Sequence, residues 1–238
     1  MRDLLNLRPV LALLVAVTAL SLGGCAGKLV PLSPATIIKS EPTFVDATPR
    51  HEAGSQDATD MMSLISETKR IVTSPEFDAN LRLVEHPIAI TPFGKRESAD
   101  VILTFYLGKD PAYTYVPTGV RWVDRGGNSN RVDGSGSLIS LTRGVQTNWK
   151  SNEARRKSLA INSMAHELAH SLSHRPDQLV YVFTDRYFSL YLLHQSDAIA
   201  SYTIGTVAQC TWLAEQEPAL VMQECFGRYG LRNFKSRP

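Results

Sequence analysis

The chain has 238 residues, of which 43% are hydrophobic and 20% charged, and its formal net charge is +2 at pH 7. This length suits one domain, or one domain with two lobes. Because positive and negative charges nearly balance, we expect neither nucleic acid nor a strongly acidic substrate as a partner. The composition predicts no particular oligomeric state.

The N-terminal residues are typical of a secretory signal. An apolar run over residues 9–20 follows two arginines, and it is too short and wrongly flanked for a stable membrane span. It ends in Leu-Gly-Gly-Cys at residues 22–25, which resembles the lipobox of bacterial lipoproteins. The resemblance implies cleavage before Cys25, lipid attachment to its sulfur and, because Ala26 follows, anchoring in the outer membrane facing the periplasm. The alternative is an ordinary signal peptide that contains a cysteine.

Three segments are expected from this pattern. Residues 1–24 are predicted to be a signal peptide, residues 25–57 a lipidated cysteine with a flexible tether, and residues 58–238 the folded domain. The tether is predicted because residues 26–57 contain four prolines and show no clear hydrophobic period.

The first half of the domain has one helical pattern followed by strand patterns. Apolar residues at helical spacing predict a helix over about 60–72. Runs rich in β-branched and aromatic residues predict strands over 86–93, 100–107 and 112–123. After a turn-rich segment, residues 137–143 predict one more strand.

The second half of the domain is predicted to be helical. A helix is expected over about 152–174, ended by Pro176 because the residue before a proline avoids the helical region. A second helical stretch is expected over about 185–215, and a short helix after Pro218. Strands first and helices later predict an α+β fold, with a small, mainly antiparallel sheet lobe followed by a helical lobe.

The chain has three cysteines, of which Cys25 directly follows the predicted signal peptide and the other two lie near the C-terminus. If Cys25 takes lipid, Cys210 and Cys225 remain as an even pair in an oxidising compartment, which predicts a disulfide between them. That bond would join the last two predicted helices. The alternative is a pair of buried thiols.

Residues 166–170 read His-Glu-Leu-Ala-His, in the middle of the predicted helix 152–174. Histidines four apart share one face of a helix, so His166 and His170 can meet one zinc ion through their ring nitrogens. Glu167 lies about 100° round the helix from His166, where its carboxylate can act as general base on a water activated by the metal. The alternative is a surface helix with two incidental histidines.

This HExxH motif resembles that of the zincin metallopeptidases, and the order of elements is similar over about residues 60–230. The resemblance implies that the motif helix lies between the two lobes and that a peptide or protein substrate lies along an edge strand, for which residues 137–143 are the candidate. The metzincin pattern is not followed, because Ser173 and Pro176 stand where it has glycine and histidine. The Glu and Asp pair of gluzincins does not follow the motif either.

The third metal ligand is therefore open between two residues. Asp197 follows the motif at a distance that allows a returning helix, has small neighbours and offers a carboxylate oxygen, as in the aspzincins that this arrangement resembles. His194 is the alternative ligand, with Asp197 then as its hydrogen-bond partner. His174 is expected at the helix C-terminus, too far along a straight helix to share the ion with His166.

The predicted function is zinc-dependent hydrolysis of peptide bonds. Tyr202 is the candidate donor to the oxyanion, with Tyr191 and Tyr187 nearby in the sequence, although such tyrosines are more often core residues. One alternative is a non-catalytic, zinc-binding envelope lipoprotein that acts as a structural or binding module. Another is a lipoprotein that binds no metal. Retention of Glu167 favours the enzyme, because a purely structural site needs no base there.

Overall fold

The computed structural model describes residues 47–84, 87–89, 96–107, 109, 113–115, 118–124, 131–132, 138–174, 180–181 and 199–225. All of them lie in one compact unit, Thr36–Pro238. Among these residues, no helix has both the length and the apolar character that a membrane crossing requires.

Within the described residues there are seven helices and nine short strands. The helices are α1 (Gln56–Val72), α2 (Pro75–Arg82), α3 (Ala99–Tyr106), α4 (Arg143–Lys150), α5 (Ala154–Ala169), α6 (Ala200–Gln216) and α7 (Pro218–Cys225). The strands are β1 (Ala47–Pro49), β2 (Ile88–Ala89), β3 (Arg96–Glu97), β4 (Tyr113–Tyr115), β5 (Thr118–Val123), β6 (Arg131–Val132), β7 (Leu138–Thr142), β8 (Leu172–His174) and β9 (Val180–Tyr181).

The main sheet has the strand order β1-β5-β7-β6. Strands β1, β5 and β7 run parallel to one another, and β6 pairs antiparallel with β7, so the prediction of a mainly antiparallel sheet lobe is wrong. Most side chains of β5 and β7 are buried, which is typical of strands covered on both faces. The described residues are mostly helical, and helices also occur before and between these strands. The predicted α+β fold, a sheet lobe followed by a helical lobe, is therefore wrong as well.

Strand β7 lies inside the main sheet. It pairs with β5 along its whole length, from Leu138 to Thr142, and with β6 at Ser140 and Ile139. The strand predicted over 137–143 is therefore confirmed. Its expected role as an edge strand for substrate is wrong, because its hydrogen-bonding groups are shared with two neighbours.

Strand β1 extends the folded domain towards the N-terminus. It pairs in parallel with β5, and the Arg50 amide donates a 2.7 Å hydrogen bond to the carbonyl oxygen of Val120. The Ser55 hydroxyl then accepts from the Ala58 amide and caps α1. The sequence pattern placed the start of the folded domain at residue 58, and the pairing of β1 with β5 moves that start to an earlier residue.

Residues 100–107 form most of helix α3 rather than the predicted strand. The buried side chains are Ala99, Ile102, Leu103, Phe105 and Tyr106, and their spacing follows the turn of a helix. An apolar run of this length, rich in β-branched residues, suits either structure, and packing against the core decides between them.

The helix predicted over 152–174 ends earlier than expected. Helix α5 stops at Ala169 with His170 as its C-terminal cap, and β8 follows. Strand β8 pairs antiparallel with β4 and β9, so His174 lies in a strand and not at the end of a helix. Serines at 171 and 173 weaken a helix there, because their hydroxyls compete for backbone hydrogen bonds.

Helix α6 is the central helix of the helical part of the fold. Buried residues occur in every turn from Ala200 to Leu213, as expected of a helix surrounded by other elements. The predicted helical stretch 185–215 is confirmed from Ala200 onwards, and residues 185–198 lie outside the described part. The predicted disulfide between Cys210 and Cys225 is present and joins α6 to α7, with a Cα–Cα distance of 5.9 Å.

Candidate metal site

Helix α5 presents the motif histidines at the surface of the core. Its inner face is formed by Ile161, Met164, Ala165 and Leu168, which are fully buried. His166 and His170 lie one turn apart towards the end of the helix and are partly exposed. The core face thus orients the helix, while both imidazoles remain within reach of solvent and of a metal ion.

The two imidazoles converge. The Nε2 atoms of His166 and His170 are 3.2 Å apart, and the ring planes meet at 82°. Two nitrogens bound tetrahedrally to one zinc ion at about 2.0–2.1 Å are separated by about 3.3–3.4 Å. The observed separation, at which the two rings can also share a hydrogen bond, is close to the separation that a shared zinc ion requires.

Glu167 completes the cluster. Its side chain is 8% exposed, and its Oε1 atom lies 3.9 Å from Nε2 of His166. One ligand atom from each of these residues and from His170 lies within 4.8 Å of the others, so the three residues together could hold a metal ion. The chemistry of this donor set, two imidazoles and a carboxylate, suits zinc.

Tyr202 lies against His166. The ring centroids are 4.5 Å apart and the planes meet at 71°, an edge-on contact between α6 and α5. The tyrosine is 39% exposed, so part of its side chain remains open to solvent. The fold thus brings together His166, Glu167, His170 and Tyr202, all of which were predicted as site residues.

Four residues predicted at or near the metal site lie outside the described residues. They are Asp197 and His194, the alternative third ligands, and Tyr187 and Tyr191. Cys25, the predicted lipidation site, also lies outside the described residues.

Two buried hydroxyls adjoin site residues in the sequence. Ser171 follows His170 and Ser201 precedes Tyr202, and both serines are fully buried. Neither hydroxyl has a hydrogen-bond partner within the described part of the chain. Neither hydroxyl therefore supports an imidazole in this structure, and the fit to a metal rests on the donor atoms of His166, Glu167 and His170.

Tyr106 supports the motif helix from the core side. It is fully buried, and its hydroxyl donates a long 3.5 Å hydrogen bond to the carbonyl oxygen of Ala165, next to His166. Burial raises the pKa of Tyr106 far above its usual value, so this hydroxyl remains a donor at any physiological pH. Tyr106 was not predicted from the sequence, because it belongs to the segment predicted as a strand.

Gly205 was also missed. It lies on α6 directly over Asn162 and His166 of α5 and allows the two helices to approach. The signal in the sequence was a glycine inside a helical pattern, which often marks close packing.

Comparison with known proteins identifies no relative. No family model, no curated protein and no solved structure matches the chain. The resemblance to the zincins therefore rests on the HExxH motif.

Proposed function

We propose that the protein is a zinc-dependent peptidase. His166 and His170 hold the ion, and Asp197 is the third protein ligand, with His194 as the alternative. The observation that carries the proposal is the 3.2 Å separation of the two Nε2 atoms, which matches two corners of a tetrahedral zinc site.

The proposed chemistry divides between the ion and the chain. A bound zinc ion supplies a Lewis acid that acidifies water and polarises the scissile carbonyl. Glu167, 3.9 Å from the His166 nitrogen, accepts the proton of the attacking water and delivers it to the leaving nitrogen. Tyr202, whose ring lies beside His166, donates a hydrogen bond from its hydroxyl to the oxyanion.

We further propose that the enzyme is lipidated at Cys25 and faces the periplasm from the outer membrane, where it hydrolyses peptide or protein substrates. A disulfide such as Cys210–Cys225 persists in an oxidising compartment, which supports a location outside the cytoplasm. The choice of peptide as substrate class rests on the resemblance of the HExxH motif to that of the zincins.

Zinc content and peptide cleavage of the purified full-length protein test the proposal. Wild type and Glu167→Gln should each hold about one zinc ion per chain, and His166→Ala none, since the site needs both imidazoles. Glu167→Gln should cleave an unstructured protein substrate about 10²–10⁴-fold more slowly than wild type. His174→Ala is the matched control: it removes a histidine from β8 and should keep both zinc and activity.

Two outcomes would contradict the proposal in different ways. A wild-type protein that remains free of metal after dialysis against zinc overturns the metal site itself. A wild type that binds zinc but cleaves no faster than Glu167→Gln overturns the proposed peptidase activity. The second result would support the alternative, a non-catalytic zinc-binding lipoprotein.

A further inference from the structure

Helices α5 and α6 meet closely at Gly205. A Cβ atom there would lie 2.8 Å from Asn162 Oδ1, 2.9 Å from the Asn162 carbonyl oxygen and 3.2 Å from His166 Cβ. The first two distances are shorter than real Cβ contacts, and the carbonyl oxygen belongs to the backbone of α5, so it cannot turn away. Any side chain at residue 205 would therefore push the helices apart.

A short polar ladder continues the same contact. The Asn162 amide donates a 2.8 Å hydrogen bond to Gln209 Oε1, and Gln209 donates in turn to Ser158 Oγ at 3.3 Å. Gln209 is buried, so sliding one helix along the other would leave these groups unpaired at a cost. The ladder thus sets the register of α6 against α5.

Both features bear on His166. Asn162 and His166 are four residues apart and share one face of α5. Gly205 lies over this face, and Tyr202, three residues earlier on α6, places its ring against the His166 ring. Helix α6 therefore packs the Tyr202 ring against the His166 imidazole, and at Gly205 it leaves no room for a side chain beside the His166 Cβ atom.

We propose that Gly205, together with the Asn162–Gln209 hydrogen bond, positions His166 for metal binding. The inference rests on the proposed zinc site. Neither Gly205 nor Gln209 is a proposed ligand, so both are positioning residues that act through His166. A side chain at residue 205 displaces α6 or turns His166, and the match between its Nε2 atom and that of His170 is lost.

The experiment measures zinc affinity by competition with a chromophoric chelator, using the full-length protein. Gly205→Ala should bind zinc about 10–100-fold more weakly than wild type, the usual effect of losing support for a metal ligand. Gln209→Ala should also weaken zinc binding. This variant removes a hydrogen bond and adds no atom that overlaps α5, so it tests the same role if Gly205→Ala fails to fold. The absorption spectrum with cobalt(II) in place of zinc should change in the Gly205→Ala variant, because it reports ligand geometry.

Asn80→Ala is the matched control. The Asn80 amide donates a 3.0 Å hydrogen bond to Thr211 Oγ1, another buried contact of α6, but one made with α2. This variant should lose thermal stability much as Gln209→Ala does and keep zinc affinity within about twofold, because α5 is not involved.

The possible results separate this inference from the proposed function. Wild-type zinc affinity in both Gly205→Ala and Gln209→Ala overturns the positioning role alone. An equal loss of affinity in Asn80→Ala also overturns it, since the effect would then follow general stability. A wild type that binds no zinc overturns the proposed function and this inference with it.

Discussion

The indole of Trp212 donates a 2.9 Å hydrogen bond to Oε1 of Glu67, and this bond ties α6 to α1. Arg70 joins the same group, donating at 2.8 Å to Glu67 and at 2.6 Å to Glu215. The hydrogen bond from Arg70, and to a lesser extent that from Trp212, lowers the pKa of Glu67 against the opposing effect of burial. The central helix is thus anchored through an ionised carboxylate.

A dependence of stability on pH follows from this anchor. Because the pKa of Glu67 is lower in the folded protein than its usual value of 4.5, its contribution is complete above that value. The contribution is lost as the pH falls through the lower, folded pKa. We expect the thermal midpoint of zinc-free protein to fall as the pH is lowered from about 5 towards about 3, and less steeply in Glu67→Gln.

The same substitution at Glu153 provides the control. Glu153 pairs with Arg156 on the surface, where such pairs contribute little, so Glu153→Gln should follow the wild-type curve. At pH 7 we expect Glu67→Gln to lower the free energy of unfolding by about 1 kcal/mol. Parallel curves for wild type and Glu67→Gln would show that other carboxylates govern the acid sensitivity.

Tyr202→Phe separates the ring of this residue from its hydroxyl. The edge-on ring contact with His166 should persist, so zinc affinity should be unchanged. Loss of the oxyanion donor should lower kcat about 10²–10³-fold with little change in KM. Steady-state kinetics on a peptide substrate measure both. An unchanged kcat would show that Tyr202 only packs against His166.

Reduction of the disulfide should destabilise the protein without abolishing the site. Cys210 and Cys225 are 15 residues apart, and closing a loop of that length stabilises a fold by about 3 kcal/mol. Urea unfolding of Cys225→Ser beside wild type measures the loss. Neither cysteine is among the proposed zinc ligands, so the variant should retain its zinc. Loss of zinc from a folded variant would show that the metal site depends on the disulfide.

Gln146 should prove important for the junction of α1 and α4. Its amide donates 2.9 Å hydrogen bonds to Asp57 and Asp60, and its carbonyl accepts from Arg143. Because Asp60 and Gln146 are buried, we expect Gln146→Ala to lower the free energy of unfolding by about 1–3 kcal/mol. Neighbouring Thr147 is exposed, and Thr147→Ala should cost less than about 0.5 kcal/mol. Equal losses in urea unfolding would contradict this assignment.

Local sequence predicted those features that depend on only a few neighbouring residues. His166 and His170 are four residues apart on a helix and therefore share one face. As a result, their Nε2 atoms lie 3.2 Å apart. The disulfide followed from the small number of cysteines, and α1 from its apolar period.

Tertiary structure decided the rest, because the deciding contacts join residues far apart in the chain. Residues 99–106 are helical through packing against the core, and residues 172–174 leave the helix to pair with β4. The parallel direction of β1, β5 and β7 depends on how the intervening chain crosses over, which no local period encodes. The sequence alone identified His166, Glu167 and His170 as side chains that could hold a metal. Which residues lie against His166 was decided only by the packing of α6 on α5 at Gly205, about forty residues further along the chain.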